Sequence, residues 1–205
     1  PAAAFREAAP VSYTPKHLAE KILTSKSALE GERKQVTVLF ADIRGFTRIS
    51  EHAPPEKIVN LLNRYFSAMT DIIFAHGGTL DKYLGDGLMS LFGAPTTTPE
   101  DASNALNAAV AMQRRILGIN MELRQEGLHE IGVGIGLHTG EVTVGYIGSE
   151  RRSEYTAIGD TTNLAARLQR AHDALLLLRV DLDHVRVATV HRSHERAMIT
   201  VTWCG

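Results

Sequence analysis

The sequence predicts an α/β sandwich, with helices packed on a mainly antiparallel sheet, and three observations carry that prediction. Apolar runs rich in β-branched and aromatic residues alternate with amphipathic stretches, in the order strand, helix, two strands, helix, two strands, helix. The paired strands are separated by short glycine-containing breaks, too short for a parallel crossover, so they read as hairpins. With 205 residues, 44% hydrophobic and 22% charged, the chain is long and apolar enough to bury one full core. The helices are expected on one face of the sheet.

Residues 1 to about 34 read as a leader or packing arm: an Ala/Pro-rich start, a short helical stretch with Leu18, Ile22 and Leu23 on one side, and the polar segment SKSALEGERKQ. From Gln35 the domain proper begins with VTVLFAD, a buried first strand expected to end at Asp42. After Pro54-Pro55, the residues Ile58, Leu61, Leu62, Tyr65, Phe66, Met69, Ile72 and Ile73 recur at steps of three and four, one face of an amphipathic helix that His76-Gly77-Gly78 stops. Thr79 to Phe92 holds two short apolar runs broken by Gly85-Asp86-Gly87, a strong hairpin signal. Thr98-Pro99-Glu100-Asp101 signals the start of a second helix, with Ala105, Leu106, Ala109, Met112, Ile116 and Leu117 at helical spacing to about Arg124. In Ile131 to Ile147, Val133, Ile135 and Leu137 alternate with small residues before a break at Thr139-Gly140 and the run Val142, Val144, Tyr146, which reads as a second hairpin. Asp160 to Leu168 opens a third helix. Beyond about Ala171 alternating stretches suit strands, without turn dipeptides to divide them.

Composition narrows the function. Lys plus Arg total 22 against 23 for Asp plus Glu, so no global field draws the chain to nucleic acid or anionic lipid. Cys204 is the only cysteine, which removes an intramolecular disulfide or a cysteine zinc cluster and is compatible with a reducing, cytoplasmic setting. His184, His191 and His194 lack a matched helical pair and are poor evidence for zinc. No apolar run approaches the ~20 residues that span a bilayer, so no membrane contact is expected within this stretch. A start at Pro1 rather than Met raises the expectation of a longer polypeptide with regulatory domains elsewhere.

Asp42 at a strand end and Asp86 in the neighbouring hairpin would meet if those strands pair. Two clustered carboxylates repel unless a cation neutralises them, and hard oxygens suit Mg²⁺ or Mn²⁺; on spacing alone, solvated turn formers are the commoner outcome. Lys82 reads as an exposed edge lysine, and Arg151 and Arg152 as a solvated pair or a phosphate contact. Asn163 and Arg167, four apart on the third helix, share a side and could present an amide and a guanidinium to one ligand, or simply lie at the surface. None of LGDG, GVGIGLHTG and GYIG follows a Walker or dinucleotide pattern.

Together, VTVLFADIRGFT, GGTLDKYLGDGLMSLFGAP, GIGLHTGEVTVGYIG and YTAIGDTTNLAARLQ closely resemble the catalytic domain of the class III nucleotidyl cyclases, over about residues 35 to 170. The resemblance implies a ferredoxin-like βαββαβ palm core and a head-to-tail homodimer with two sites across its interface, metal held by one subunit and the base read by the other. By position it makes Asp42 and Asp86 the carboxylates of a two-ion Mg²⁺ or Mn²⁺ site, with the Ile43 carbonyl as a backbone ligand. Lys82 matches the purine-reading lysine, and Thr156 falls where adenylyl members place Asp or Thr and guanylyl members a small residue such as Cys. Asn163 matches the ribose-orienting residue, Arg167 the one that stabilises charge on the α-phosphate, and Arg151 or Arg152 a phosphate contact. The implied function is an adenylyl cyclase acting on ATP. A guanylyl cyclase, a weak nucleotide-binding or dimerisation module, and a ferredoxin-like nucleic-acid binder are the alternatives, the last opposed by the near-zero charge. One departure stands out: members usually end in a Lys-Gly-Lys type segment that grips the terminal phosphates, whereas Lys82 is the last lysine here, so either Arg192 or Arg196 substitutes or the tail is altered and phosphate binding is weakened.

Overall fold

A computed structural model describes residues 31–149, 152–170, 181–182, 185–192 and 196–203. Strand β1 (Glu32–Arg44) is followed by helices α1 (Phe46–His52) and α2 (Pro55–Ala75), and strands β2 (Thr79–Leu84) and β3 (Gly87–Phe92) by helix α3 (Asp101–Gln125). Strands β4 (Gly132–Ser149) and β5 (Arg152–Ile158) lead to helix α4 (Asp160–Arg170). Strands β6 (Asp181–Leu182), β7 (Val185–Arg192) and β8 (Arg196–Trp203) complete the described order. The expected leader helix, Arg151 and the side chains of Arg152, Arg192 and Arg196 lie outside the described residues.

The sheet runs β2-β3-β1-β4-β8-β7-β6, with β5 paired to β4, and every pairing is antiparallel. β1 lies inside it, between β3 and β4, because VTVLFADI buries both faces. Leu39, Ala41 and Ile43 join Leu61, Tyr65, Met69 and Ile73 of α2 and Met112, Ile116 and Ile119 of α3 in one core. Val36 and Val38 join Met89, Leu91, Val142, Val144 and Ala165 in the other. This is the two-faced reading of a strand whose neighbours cover both sides.

Three expectations change. β1 begins at Glu32 rather than Gln35 and runs past Asp42 to Arg44, with Arg44 still paired to Gly132. The short helix α1, anchored by Phe46 and Ile49, precedes the expected long helix. The break at Thr139-Gly140 is no turn: β4 runs straight through, pairing Thr139 with Thr37 and Gly140 with Val36, and the two threonine hydroxyls hydrogen-bond at 2.8 Å. The hairpin instead joins β4 to β5.

The glycines of β4 serve packing. Val133, Ile135 and Leu137 face the α2/α3 core, while Gly134, Gly136 and Gly140 leave bare backbone on the opposite face, where α4 lies. The helices therefore occupy both faces and not one. A Cβ at Gly136 would stand 2.4 Å from the Gln169 nitrogen and 2.5 Å from the Ala165 oxygen, both backbone atoms that cannot swing aside. Gly136→Ala should therefore lift α4 and cost about 1–3 kcal/mol, read by urea denaturation. A variant as stable as the wild type would show that α4 does not rest on this strand.

Candidate functional site

Two groups of polar side chains are assembled by the sheet. The first sits where β1 emerges between β3 and β4. Asp42 pairs with Gly87, the first residue of β3, and the Asp86 carbonyl accepts a hydrogen bond from the Ile43 amide at 3.4 Å. The turn is permitted by Gly85 at φ 69°, and the close approach by Gly87, whose absent Cβ would meet the Ala41 oxygen at 2.9 Å and the Asp42 carboxylate at 3.2 Å. Burial first, and then the adjoining Asp86 carboxylate acting in the same sense, raise the Asp42 pKa to about 7 against the opposing charge of Arg170. Tyr65 is fully buried beneath this pair, and burial together with the two carboxylates holds its phenol proton far more tightly than usual.

The second group joins β2 to β5. Lys82 Nζ lies 3.2 Å from Glu154 Oε2 and 3.4 Å from Asp81 Oδ1, and Thr156 Oγ1 donates to Asp81 Oδ2 at 2.6 Å. The Asp81 side chain is 0% exposed. Burial raises its pKa, against the lowering effect of the Thr156 hydroxyl, Lys82 and the Ala157 amide. At Lys82 burial favours the neutral amine, but Asp81 and Glu154 more than offset it and raise the pKa. The register explains why adjacent residues act together. Leu80 faces Ser90 and Lys82 faces Met89, so Asp81 is the extra residue of a β-bulge. Such a bulge breaks the usual alternation and turns both side chains toward β5.

Asn163 and Arg167 lie on the exposed side of α4, opposite the buried Thr161, Ala165 and Leu168. The structure thus brings Asp42 to Asp86, and Lys82 to Thr156. Within one chain, the positive charge of Arg170 acts on Asp42, and Asn163 and Arg167 point outward. The sequence reading missed Asp81, Glu154, Tyr65 and Arg170. Asp81 was hidden because strand alternation assigns it to the face opposite Lys82, and only the bulge overrules that.

A βαββαβ core presenting paired carboxylates where β1 meets the β2–β3 turn is a palm fold of the nucleotidyl-transferring kind. Residues 30–178 match the family described as the adenylate and guanylate cyclase catalytic domain, and the chain belongs to that family. It is 37% identical over 159 residues to Adenylate cyclase 1 of Rhizobium meliloti (strain 1021), covering 77% of this chain but only 24% of that protein. The solved guanylyl cyclase Cya2 is 37% identical with a TM-score of 0.69, covering 84% of this chain and 93% of that one. The adenylyl cyclase CyaB from P. aeruginosa is 31% identical with a TM-score of 0.70, covering 86% and 97%. Domains of this family depend on divalent metal. Among the described residues, no helix is long and apolar enough to cross a membrane.

Proposed function

We propose that this domain cyclises ATP to 3′,5′-cyclic AMP and pyrophosphate, a phosphorus–oxygen lyase reaction, as a head-to-tail homodimer. The ribose 3′-oxygen bonds to the α-phosphorus, the bond from that phosphorus to the bridging oxygen breaks, and the hydroxyl proton is lost. The observation that carries the reading is the joining of Lys82 to Thr156 through Asp81. It presents an ammonium donor beside a hydroxyl, the complement of adenine N1 and its 6-amino group.

Asp42 and Asp86 fit a divalent site. Their mutual repulsion, expressed in the raised Asp42 pKa, is relieved by a hard cation, and Mg²⁺ characteristically takes one or two carboxylates together with substrate phosphates. Two Mg²⁺ or Mn²⁺ ions held by Asp42, Asp86 and the Ile43 carbonyl would supply acidification of the 3′-hydroxyl and neutralisation of the phosphate charge. The remaining work falls to side chains. Lys82 donates to N1, Thr156 accepts from the amino group, Asn163 orients the ribose, and Arg167 stabilises negative charge on the α-phosphate in the transition state. Arg151 and Arg152 are assigned to the phosphates. The outward side of α4 supports a site completed by a second copy, since Asn163 and Arg167 face away from their own sheet.

A second reading, GTP as substrate, is favoured by the similarity to Cya2. The two are separated by incubating purified protein with ATP or GTP and Mn²⁺ and identifying the product. One or two base-edge hydrogen bonds, worth ~1–3 kcal/mol in total, predict a preference for ATP of roughly 10- to 100-fold in kcat/KM. Equal use of GTP would remove the adenylyl assignment and leave the cyclase assignment standing.

A further inference from the structure

Thr156 by itself does not choose a base. A hydroxyl carries one donor and two acceptor lone pairs, so it can accept from the amino group of a 6-aminopurine or donate to the carbonyl of a 6-oxopurine by rotating about its C–O bond. What decides between them is where its proton points. The Thr156 Oγ1 to Asp81 Oδ2 distance is 2.6 Å, short as charge-assisted bonds are, and Lys82 Nζ stands 3.4 Å from the other carboxylate oxygen. An ionised carboxylate only accepts, so the Thr156 proton is committed to it and only lone pairs remain for a ligand. The Asp81 side chain is 0% exposed, so water does not compete for that proton.

We propose that Asp81 is a positioning residue for base choice: delivered by the β2 bulge to the same side as Lys82, it makes Thr156 an obligate acceptor and so selects a 6-aminopurine over a 6-oxopurine. Lys82, held between Asp81 and Glu154, keeps a donor for an unprotonated N1, which a 6-oxopurine, carrying hydrogen there, cannot accept. The inference rests on the reading that Lys82 and Thr156 face the base. It adds that their chemistry is set by a neighbour that never touches the substrate.

The test is kcat/KM for ATP against inosine triphosphate, which differs from ATP at the 6-position and at N1, measured with Mn²⁺ on the wild type, Asp81→Asn and Asp81→Ala. Two variants are made so that a folding failure in one leaves the other, with thermal melting as the check. The expected result is a wild-type preference for ATP of roughly 10-fold or more that falls at least fivefold in the folded variants, mostly through gained use of inosine triphosphate, because the freed hydroxyl can donate to the 6-oxo group. Thr156→Val should lose the same factor, and combining it with Asp81→Asn should lose no more, because both act on one hydroxyl. A preference that survives in the folded variants while overall activity falls would make Asp81 a structural tie between β2 and β5 and overturn the proposal. A wild type without any preference for ATP overturns the base-reading itself, and the role of Asp81 with it.

Discussion

Asp42→Ala and Asp86→Ala should each lower cyclisation by ~10²-fold or more under saturating Mn²⁺ while leaving the fold intact, because each removes a preorganised charge on which the others depend. The same pair makes a prediction about stability. The Asp42 carboxyl, held at about 7 against an ordinary 3.8, binds its proton more tightly in the folded chain than in the unfolded one. The folded state therefore carries the extra proton between those values, and stability of the metal-free domain should fall as pH rises from about 4 to about 7 and level off above. Because the group is only half buried, screening leaves roughly 1–2 kcal/mol of this effect. Asp42→Asn should flatten the slope and raise the neutral-pH melting temperature in chelator. Substantial Mn²⁺-supported activity in either alanine variant would sink the metal assignment, and a slope that persists in Asp42→Asn would sink the electrostatic account.

Mixing inactive Asp42→Ala with inactive Arg167→Ala should restore cyclisation to about a quarter of the wild-type level. Random exchange makes half the dimers heterodimers, and each heterodimer then holds one complete site of two. The physical basis is the divided geometry of the chain: Asp42 and Asp86 meet where β1 passes the β2–β3 turn, whereas Asn163 and Arg167 stand on the outer side of α4. No recovery in a mixture shown by mass spectrometry to have exchanged subunits would argue for sites contained within single chains.

Much of this architecture was legible in the chain. The apolar run VTVLFAD, the three-and-four spacing from Ile58 to Ile73 and the Gly85-Asp86-Gly87 turn are local signals, and the structure bears them out in β1, α2 and the β2–β3 hairpin. The juxtaposition of Asp42 and Asp86 was conditional in the sequence on β1 pairing with that hairpin, and the register of β1 against β3 supplies the pairing. Thr139-Gly140 misled because a glycine demanded by packing looks the same in sequence as one demanded by a turn. Its neighbour is Thr161, whose Oγ1 a Cβ would meet at 2.5 Å, and that residue lies on α4, beyond the β4–β5 hairpin.

The sequence by itself determined the order of the longer elements from β1 to α3, apolar positions of α2 and α3 that the core buries, and the residue types at the cyclase positions, because periodicity and turn chemistry are properties of neighbouring residues. Only the tertiary structure decided which face α4 covers, that Asp81 shares a side with Lys82, and that burial raises the Asp42 pKa. Each of those depends on backbone approach or strand register between segments far apart in the chain. A one-residue bulge or an absent Cβ changes which atoms meet without leaving a local pattern to read.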